Sequence, residues 1–150
     1  MMDKNVVKSE KAACHPSVLL EHNVFIVWRP EYDLGIMILD DQHRGIVSII
    51  NSYFFGTKCD SIKNLSQPTI AMLASYARIH FQTEEYFLEA INYPGLNSHR
   101  ALHHAYTSKL AEIERLSKLD KDPYILMNFL KAWWLDHICG ADMDFKNFFL

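Results

Sequence analysis

Apolar residues recur at intervals of three and four along four stretches of the chain, which is the spacing of one buried face of an α-helix. This pattern predicts helices over about residues 40–55, 66–91, 98–119 and from 123 onward. Polar residues stand where N-caps are expected, namely Asp40 or Asp41, Ser66, Asn97 or Ser98, and Asp122. The predicted inward stripes contain Ile46, Val47, Ile50 and Phe54; Ile70, Leu73, Ala77, Phe87 and Leu88; Leu102, Tyr106, Leu110 and Ile113; and Tyr124, Met127, Leu130, Trp133, Trp134 and Ile138.

Four amphipathic helices joined by short loops predict an all-α fold, an antiparallel up-down-up-down four-helix bundle. Residues 1–25 lack this periodicity and are predicted to form an N-terminal extension, or arm, which leaves residues 26–150 as the bundle domain. The segment Phe25–Leu39 contains aromatic residues together with Pro30 and Gly35, which interrupt any long helix. We expect it to lie over the bundle as an aromatic strap.

Composition narrows the classes of function. The chain has 150 residues, 49% hydrophobic and 22% charged, and its formal net charge is −3. No run of Lys and Arg appears, which argues against nucleic-acid binding, and no apolar run has the length of a membrane span. Three cysteines without a Cys-x-x-Cys pair, and an N-terminus of mixed charge, favour reduced thiols in a cytoplasmic protein.

Histidines and carboxylates interrupt the apolar stripes. Two pairs are four residues apart on predicted helices, so both members of each pair lie on the same side of the helix. Five imidazoles in an apolar core need partners for both nitrogens, and a buried carboxylate is costly unless it is paired or coordinated. A single histidine would indicate a core residue, but the whole set predicts a metal centre formed by His43, His80, Glu84, His99, His103, His137 and Asp142.

The types of ligand limit the metal. The absence of cysteine pairs disfavours thiolate zinc sites and iron–sulfur clusters, whereas imidazoles mixed with carboxylates suit iron, zinc, manganese or copper. Seven side chains are too many for one ion. If Glu84 and Asp142 each bridge two octahedral ions, and one oxygen atom is shared by both ions, a single coordination position stays open for a small molecule.

The order and spacing of these residues resemble the hemerythrin family, in particular bacterial hemerythrins, over residues from about 26 to 150. The matching motifs are His43 within Asp-x-Gln-His, His80-x-x-x-Glu84, His99-x-x-x-His103 and His137-x-x-x-x-Asp142. The resemblance implies two non-haem iron ions with an oxo or hydroxo bridge. By it, His99, His103 and His137 would bind one iron, His43 and His80 the other, and Glu84 and Asp142 would bridge them. Dioxygen would bind reversibly at the open position of the two-histidine iron.

Two features follow from the residues around the last ligands. A spacing of five rotates Asp142 about 140° from His137 in a regular helix, which predicts a widened turn at Cys139-Gly140-Ala141. Reversible binding also requires an apolar, water-poor lining, for which we expect Ile46, Phe81, Trp133, Trp134 and Ile138. Trp134 departs from the smaller aliphatic residue usual in the family. Its indole either narrows the oxygen pocket or turns outward.

The leading interpretation is a non-catalytic protein that binds dioxygen for carriage, storage or sensing. A diiron enzyme is the alternative, either an oxidase, a peroxidase-like protein or a nitric oxide handling protein. Ferritin-like oxidases use Glu-x-x-His pairs, and the chain contains none. An iron storage or repair protein is a third interpretation. The expected ligand is dioxygen, and both a monomer and a homo-oligomer are compatible with the sequence.

Overall fold

A computed structural model of the chain describes residues 24–58, 64–119 and 122–149. The predicted N-terminal extension therefore lies outside the described residues except for its last two positions. The helices are α1 (Met37–Lys58), α2 (Ser66–Ala90), α3 (Leu96–Leu119), α4 (Pro123–Trp133), a π-helix (Trp134–Ala141) and α5 (Asp142–Phe149), preceded by a 3₁₀ turn (Pro30–Tyr32).

The helices form the predicted antiparallel four-helix bundle. In the ring of packed neighbours, α1 contacts α2 and α4, and α3 contacts the same two helices. The π-helix and α5 continue α4 and complete the fourth rod of the bundle. None of the helices in the described ranges combines the length and the apolar character that crossing a bilayer requires.

Helix α1 begins at Met37, three residues before the predicted start, and it ends at Lys58 rather than near Phe55. Asp40 is not an N-cap. Its carboxylate is buried and turns back along the chain, where it accepts hydrogen bonds from the backbone N–H groups of Leu34 (2.6 Å) and Gly35 (3.1 Å). Gly35 has φ +84°, a conformation that glycine adopts without strain. Asp40, itself a residue of α1, thus holds in place the backbone segment that leads into the helix.

The other predicted caps had mixed outcomes. Asp122 accepts from the N–H of Tyr124 at 2.9 Å and caps α4 as predicted. Ser66 does not cap α2, because its hydroxyl pairs with that of Tyr53 at 2.9 Å. Helix α3 begins at Leu96, ahead of both predicted cap residues. The prediction failed where a tertiary contact occupied the polar side chain or a turn already fixed the start of the helix.

The core consists of two apolar layers with a polar layer between them. The larger layer contains Ile46, Ala77, Tyr106, Trp133 and Ile138 among others. The smaller one contains Leu34, Leu39, Leu88 and Phe145. Along each rod, the candidate ligands stand at the point in the sequence where residues of one apolar layer are followed by residues of the other. Leu102 and Tyr124, predicted to point inward, are exposed because neither lies on the side of its helix that faces the core.

Candidate metal centre

All seven candidate ligands are buried in the polar layer of the bundle, with exposures of 5% or less. Each rod contributes at least one of them. The seven positions are His43 on α1, His80 and Glu84 on α2, His99 and His103 on α3, His137 on the π-helix and Asp142 at the start of α5.

The ligand atoms converge in two groups. One consists of Glu84, His99, His103 and His137, and the other of His43, His80, Glu84 and Asp142. Within each group the coordinating atoms lie within 4.8 Å of one another. Glu84 belongs to both groups, which is the position that a bridging carboxylate needs.

Asp142 also approaches both groups. Its Oδ2 lies 3.2 Å from His43 Nε2. Its Oδ1 lies 3.4 Å from His99 Nε2 and 3.3 Å from His137 Nε2. Atoms at right angles on an ion about 2.1 Å away are roughly 3.0 Å apart, and at tetrahedral angles roughly 3.4 Å. These separations match the edges of a coordination polyhedron.

The π-helix brings His137 and Asp142 to one side of the rod. It covers Trp134–Ala141, so the widened turn predicted at Cys139-Gly140-Ala141 is present. The backbone N–H of Asp142 donates to the carbonyl of His137, five residues earlier. This i→i+5 hydrogen bond adds a residue to the turn and removes the rotation that a regular helix would impose.

Many polar atoms of the site lack a hydrogen-bond partner among the described residues. They are both ring nitrogens of His43, Nε2 of His80 and His137, Oε1 of Glu84, and both carboxylate oxygens of Asp142. Buried polar groups are rarely left unsatisfied, and so many in one place call for an unseen partner. Metal cations would satisfy the carboxylate oxygens and one nitrogen of each imidazole, since the other ring nitrogen of a neutral imidazole carries the proton.

His103 makes the same point from its own contacts. Its Nδ1 lies 2.7 Å from Glu85 Oε1, and its Nε2 lies 2.9 Å from Glu84 Oε2. A neutral imidazole has one N–H, so it can donate to only one of these carboxylates. If the proton is on Nδ1, a nitrogen lone pair faces an oxygen lone pair, and a cation between them removes the repulsion.

Residues outside the ligand set orient the imidazoles. The Nδ1–H of His80 donates to Gln42 Oε1 at 3.1 Å, and the amide of Gln42 donates to Thr83 at 3.2 Å. Glu85, whose Oε1 lies 2.7 Å from His103 Nδ1, is also bound by Arg100 at 3.2 Å. Such contacts fix the tautomer that directs Nε2 at a metal. Sequence reasoning missed Gln42 and Glu85, although each directly precedes or follows a candidate ligand.

Electrostatics favour the metal-binding form of the imidazoles. Burial lowers the pKa of His43 and His137, and it lowers the pKa of His80 to about 3, with neighbouring histidines adding to the effect. These side chains are therefore neutral at pH 7, and neutral imidazole is the form that coordinates metals.

The pKa values of the two carboxylates are shifted in opposite directions. Burial acts to raise the pKa of Glu84, but hydrogen bonds from His103 and His99 outweigh it and hold the pKa well below its usual range. Burial and the adjacent Glu84 raise the pKa of Asp142 well above its usual range. A cation beside Asp142 would displace its proton.

The residues expected to line an oxygen pocket are all buried. Phe81 stacks on His103 with 3.8 Å between ring centroids, and Trp133 stacks on His137 at 5.7 Å. Ile46 and Ile138 are 1% and 0% exposed.

Trp134 is also buried, beneath the strap. Its ring meets those of Trp28 at 6.1 Å and Tyr32 at 5.1 Å, both edge-on. The indole does not turn out to solvent, and the strap is the surface that covers it.

Comparison with known proteins agrees with this geometry. The family model described as "Hemerythrin HHE cation binding domain" matches residues 34–149. The chain belongs to the hemerythrin family. Among relatives, it is 30% identical over 129 residues to a bacteriohemerythrin of Clostridium acetobutylicum, covering 79% of this chain and 97% of that protein. It is 31% identical over 121 residues to a hemerythrin subunit of Sipunculus nudus, covering 81% and 91%. A bacteriohemerythrin of Stenotrophomonas maltophilia is 26% identical over 123 residues, covering 81% and 80%.

Proposed function

We propose that this hemerythrin-family chain holds two non-haem iron ions and binds dioxygen reversibly. One observation supports the proposal most strongly: two groups of four buried ligand atoms share Glu84, and Asp142 lies within 3.4 Å of imidazoles from both groups. A pair of ions bridged by carboxylates fits this arrangement, and a single ion does not.

In the proposed assignment, the iron ligands are divided three and two. His99, His103 and His137 would hold one ion and His43 and His80 the other, while Glu84 and Asp142 would be shared by the two. Dioxygen would then be taken up beside His43 and His80, where fewer imidazoles are present. When bound, the iron pair supplies electrons for dioxygen binding and recovers them on release. The bundle domain proposed for this function is residues 26–150, in a reducing, cytoplasmic compartment.

The side chains around the metals have two tasks. Gln42 and Glu85 hold imidazoles in place, which keeps the ligand set rigid while dioxygen enters and leaves. Ile46, Phe81, Trp133 and Ile138 exclude water from the site, and a water-poor lining suppresses loss of bound oxygen in reduced form. A lining of this kind suits a carrier, store or sensor better than an enzyme that must exchange protons with its substrate.

The test is a cycle of oxygenation. Protein loaded anaerobically with ferrous iron should contain two iron ions per chain, gain a visible charge-transfer absorption in air and lose it under argon, repeatedly. Irreversible oxidation at the first exposure would contradict reversible binding and support the diiron enzyme.

Neighbouring histidines give a matched control. His103→Ala should lower the iron content and abolish the cycle, because this imidazole lies in the ligand group. His104→Ala should change neither, because His104 is exposed and lies about 100° away from His103 around α3. Equal iron content in the two variants would remove His103 from the ligand set.

A further inference from the structure

A cleft of about 280 Å³ lies between the strap and the fourth rod of the bundle. Its walls include the rings of Phe25, Tyr32 and Trp134 and the side chain of Leu135. The volume is near the lower end of the range for small-molecule sites, about 300–1,000 Å³. The cleft therefore has room for a small organic molecule and not for a nucleotide cofactor.

Two cationic side chains stand at this cleft, Arg29 from the strap and Lys131 from α4. Within the described ranges neither forms an ion pair or a side-chain hydrogen bond, whereas Arg44, Arg100 and Lys118 all pair with carboxylates. No acidic residue of those ranges lines the cleft. Two positive charges without a counterion, beside an aromatic wall, give the site a definite preference for an anion.

The aromatic wall is held in place by its own packing. Trp134 is 5% exposed and is fixed edge-on against Trp28 and Tyr32. Trp28 is fixed in turn, since its indole N–H donates to Asp33 at 3.0 Å and Arg44 lies 5.0 Å from its ring. A ligand entering the cleft meets a preformed surface and does not have to order it.

We propose that this cleft binds a small amphipathic carboxylate, with an aromatic or short aliphatic body against Trp134 and its carboxylate between Arg29 and Lys131. A guanidinium donates two parallel N–H groups to a carboxylate, and the ammonium adds a second point charge. The site is separate from the metal centre, because none of its lining residues is a candidate ligand.

The experiment uses the full chain and two probes that share the same phenylpropyl body and differ in the charge of the head group, 3-phenylpropanoate and 3-phenylpropanol. Calorimetry and tryptophan fluorescence should show the acid binding with a Kd of roughly 0.1–1 mM, as expected for about eleven heavy atoms. The alcohol should bind at least tenfold more weakly. Raising the salt concentration should weaken binding of the acid alone.

Three further measurements locate the site. The double variant Arg29→Gln/Lys131→Gln should bring the acid to the affinity of the alcohol. Arg78→Gln, which removes an exposed cation on α2, should leave it unchanged. Binding should be equal with and without iron, because a carboxylate that coordinates the metal would require it.

Each opposite result overturns the proposal. Equal affinities for acid and alcohol would remove the charge recognition, and an iron-dependent signal would place the probe at the metals. Absence of binding in the intact chain would mean that the cleft takes another occupant, such as the segment 1–23 that precedes it in the chain.

Discussion

Replacing Glu84 by glutamine distinguishes a bridging ligand from a buried ion-pair partner. Glutamine keeps the size of the side chain and one acceptor oxygen but removes the charge and the second carboxylate oxygen. Glu84 is fully buried, and its Oε2 lies 3.0 Å from His99 Nε2 and 2.9 Å from His103 Nε2. Both roles are compatible with these distances, so the two must be separated by their energetic consequences.

The expected loss of metal affinity follows from the two ligand groups. Structural metal sites gain about 10–16 kcal/mol from about four ligands, so one ligand contributes roughly 3 kcal/mol, a factor of about 100 in affinity. Because Glu84 belongs to both groups and glutamine keeps a single coordinating oxygen, at least one ion loses a ligand and both lose a negative charge nearby. In a domain of this size, about 3 kcal/mol corresponds to roughly 6–12 °C in Tm. The rise in Tm on adding iron should shrink by at least that amount.

The assay combines iron content with calorimetry of the metal-free and iron-loaded forms, with Glu112→Gln as control because Glu112 is an exposed residue that pairs with Lys109. If Glu84 were merely an ion-pair partner, the metal-free variant would lose about 3–5 kcal/mol and its response to iron would be normal. Full iron content together with an unchanged increment in Tm would refute the bridging role.

Three further outcomes are expected. Trp134→Leu should lower the free energy of unfolding by about 2 kcal/mol. It should also speed autoxidation of the oxygenated protein, measured as the decay of its visible absorption. Identical kinetics would place this indole outside the oxygen pocket. Glu85→Gln should weaken iron binding about 10–100-fold in a chelator competition, since the Nδ1–H of His103 loses a charged acceptor; unchanged affinity would make that contact incidental. Metal-free protein should lose stability as the pH falls below about 6.5. Folding lowers the pKa of His43, of His137 and of His80, the last to about 3, so on acidification only the unfolded chain takes up their protons. The raised pKa of Asp142 acts in the opposite direction, but it is a single group. Urea midpoints at pH 7, 6 and 5 measure this, and a midpoint that rises on acidification would contradict it.

Periodicity predicted the bundle because each helix buries one continuous stripe. The same reasoning found the candidate ligands, since a carboxylate such as Glu84 is seldom tolerated on a buried stripe unless it is paired or coordinated. It also predicted a widened turn at Cys139-Gly140-Ala141, because a spacing of five residues between His137 and Asp142 cannot place both on one side of an α-helix, but it did not predict that the π-helix would begin as early as Trp134.

Where the prediction failed, a tertiary contact decided the outcome. Asp40 has the position of an N-cap in the sequence, but its carboxylate binds the backbone of Leu34 and Gly35 from inside α1. Leu102 fits the helical spacing, yet the stripe of α3 is narrow there and the residue is exposed. The orientation of Trp134 depended on the strap, whose path cannot be inferred from an interrupted, aperiodic segment.

The distribution of the candidate ligands over all four rods bears on how the protein is made. His137 and Asp142, which come last in chain order, complete the two groups. A nascent polypeptide translated only through α3 presents an unfinished set on each side, and domains acquire their packing as the chain emerges from the ribosome. We therefore expect the proposed iron ions to bind late in biogenesis, and arrested ribosome-bound chains that stop before Trp134 should not retain iron.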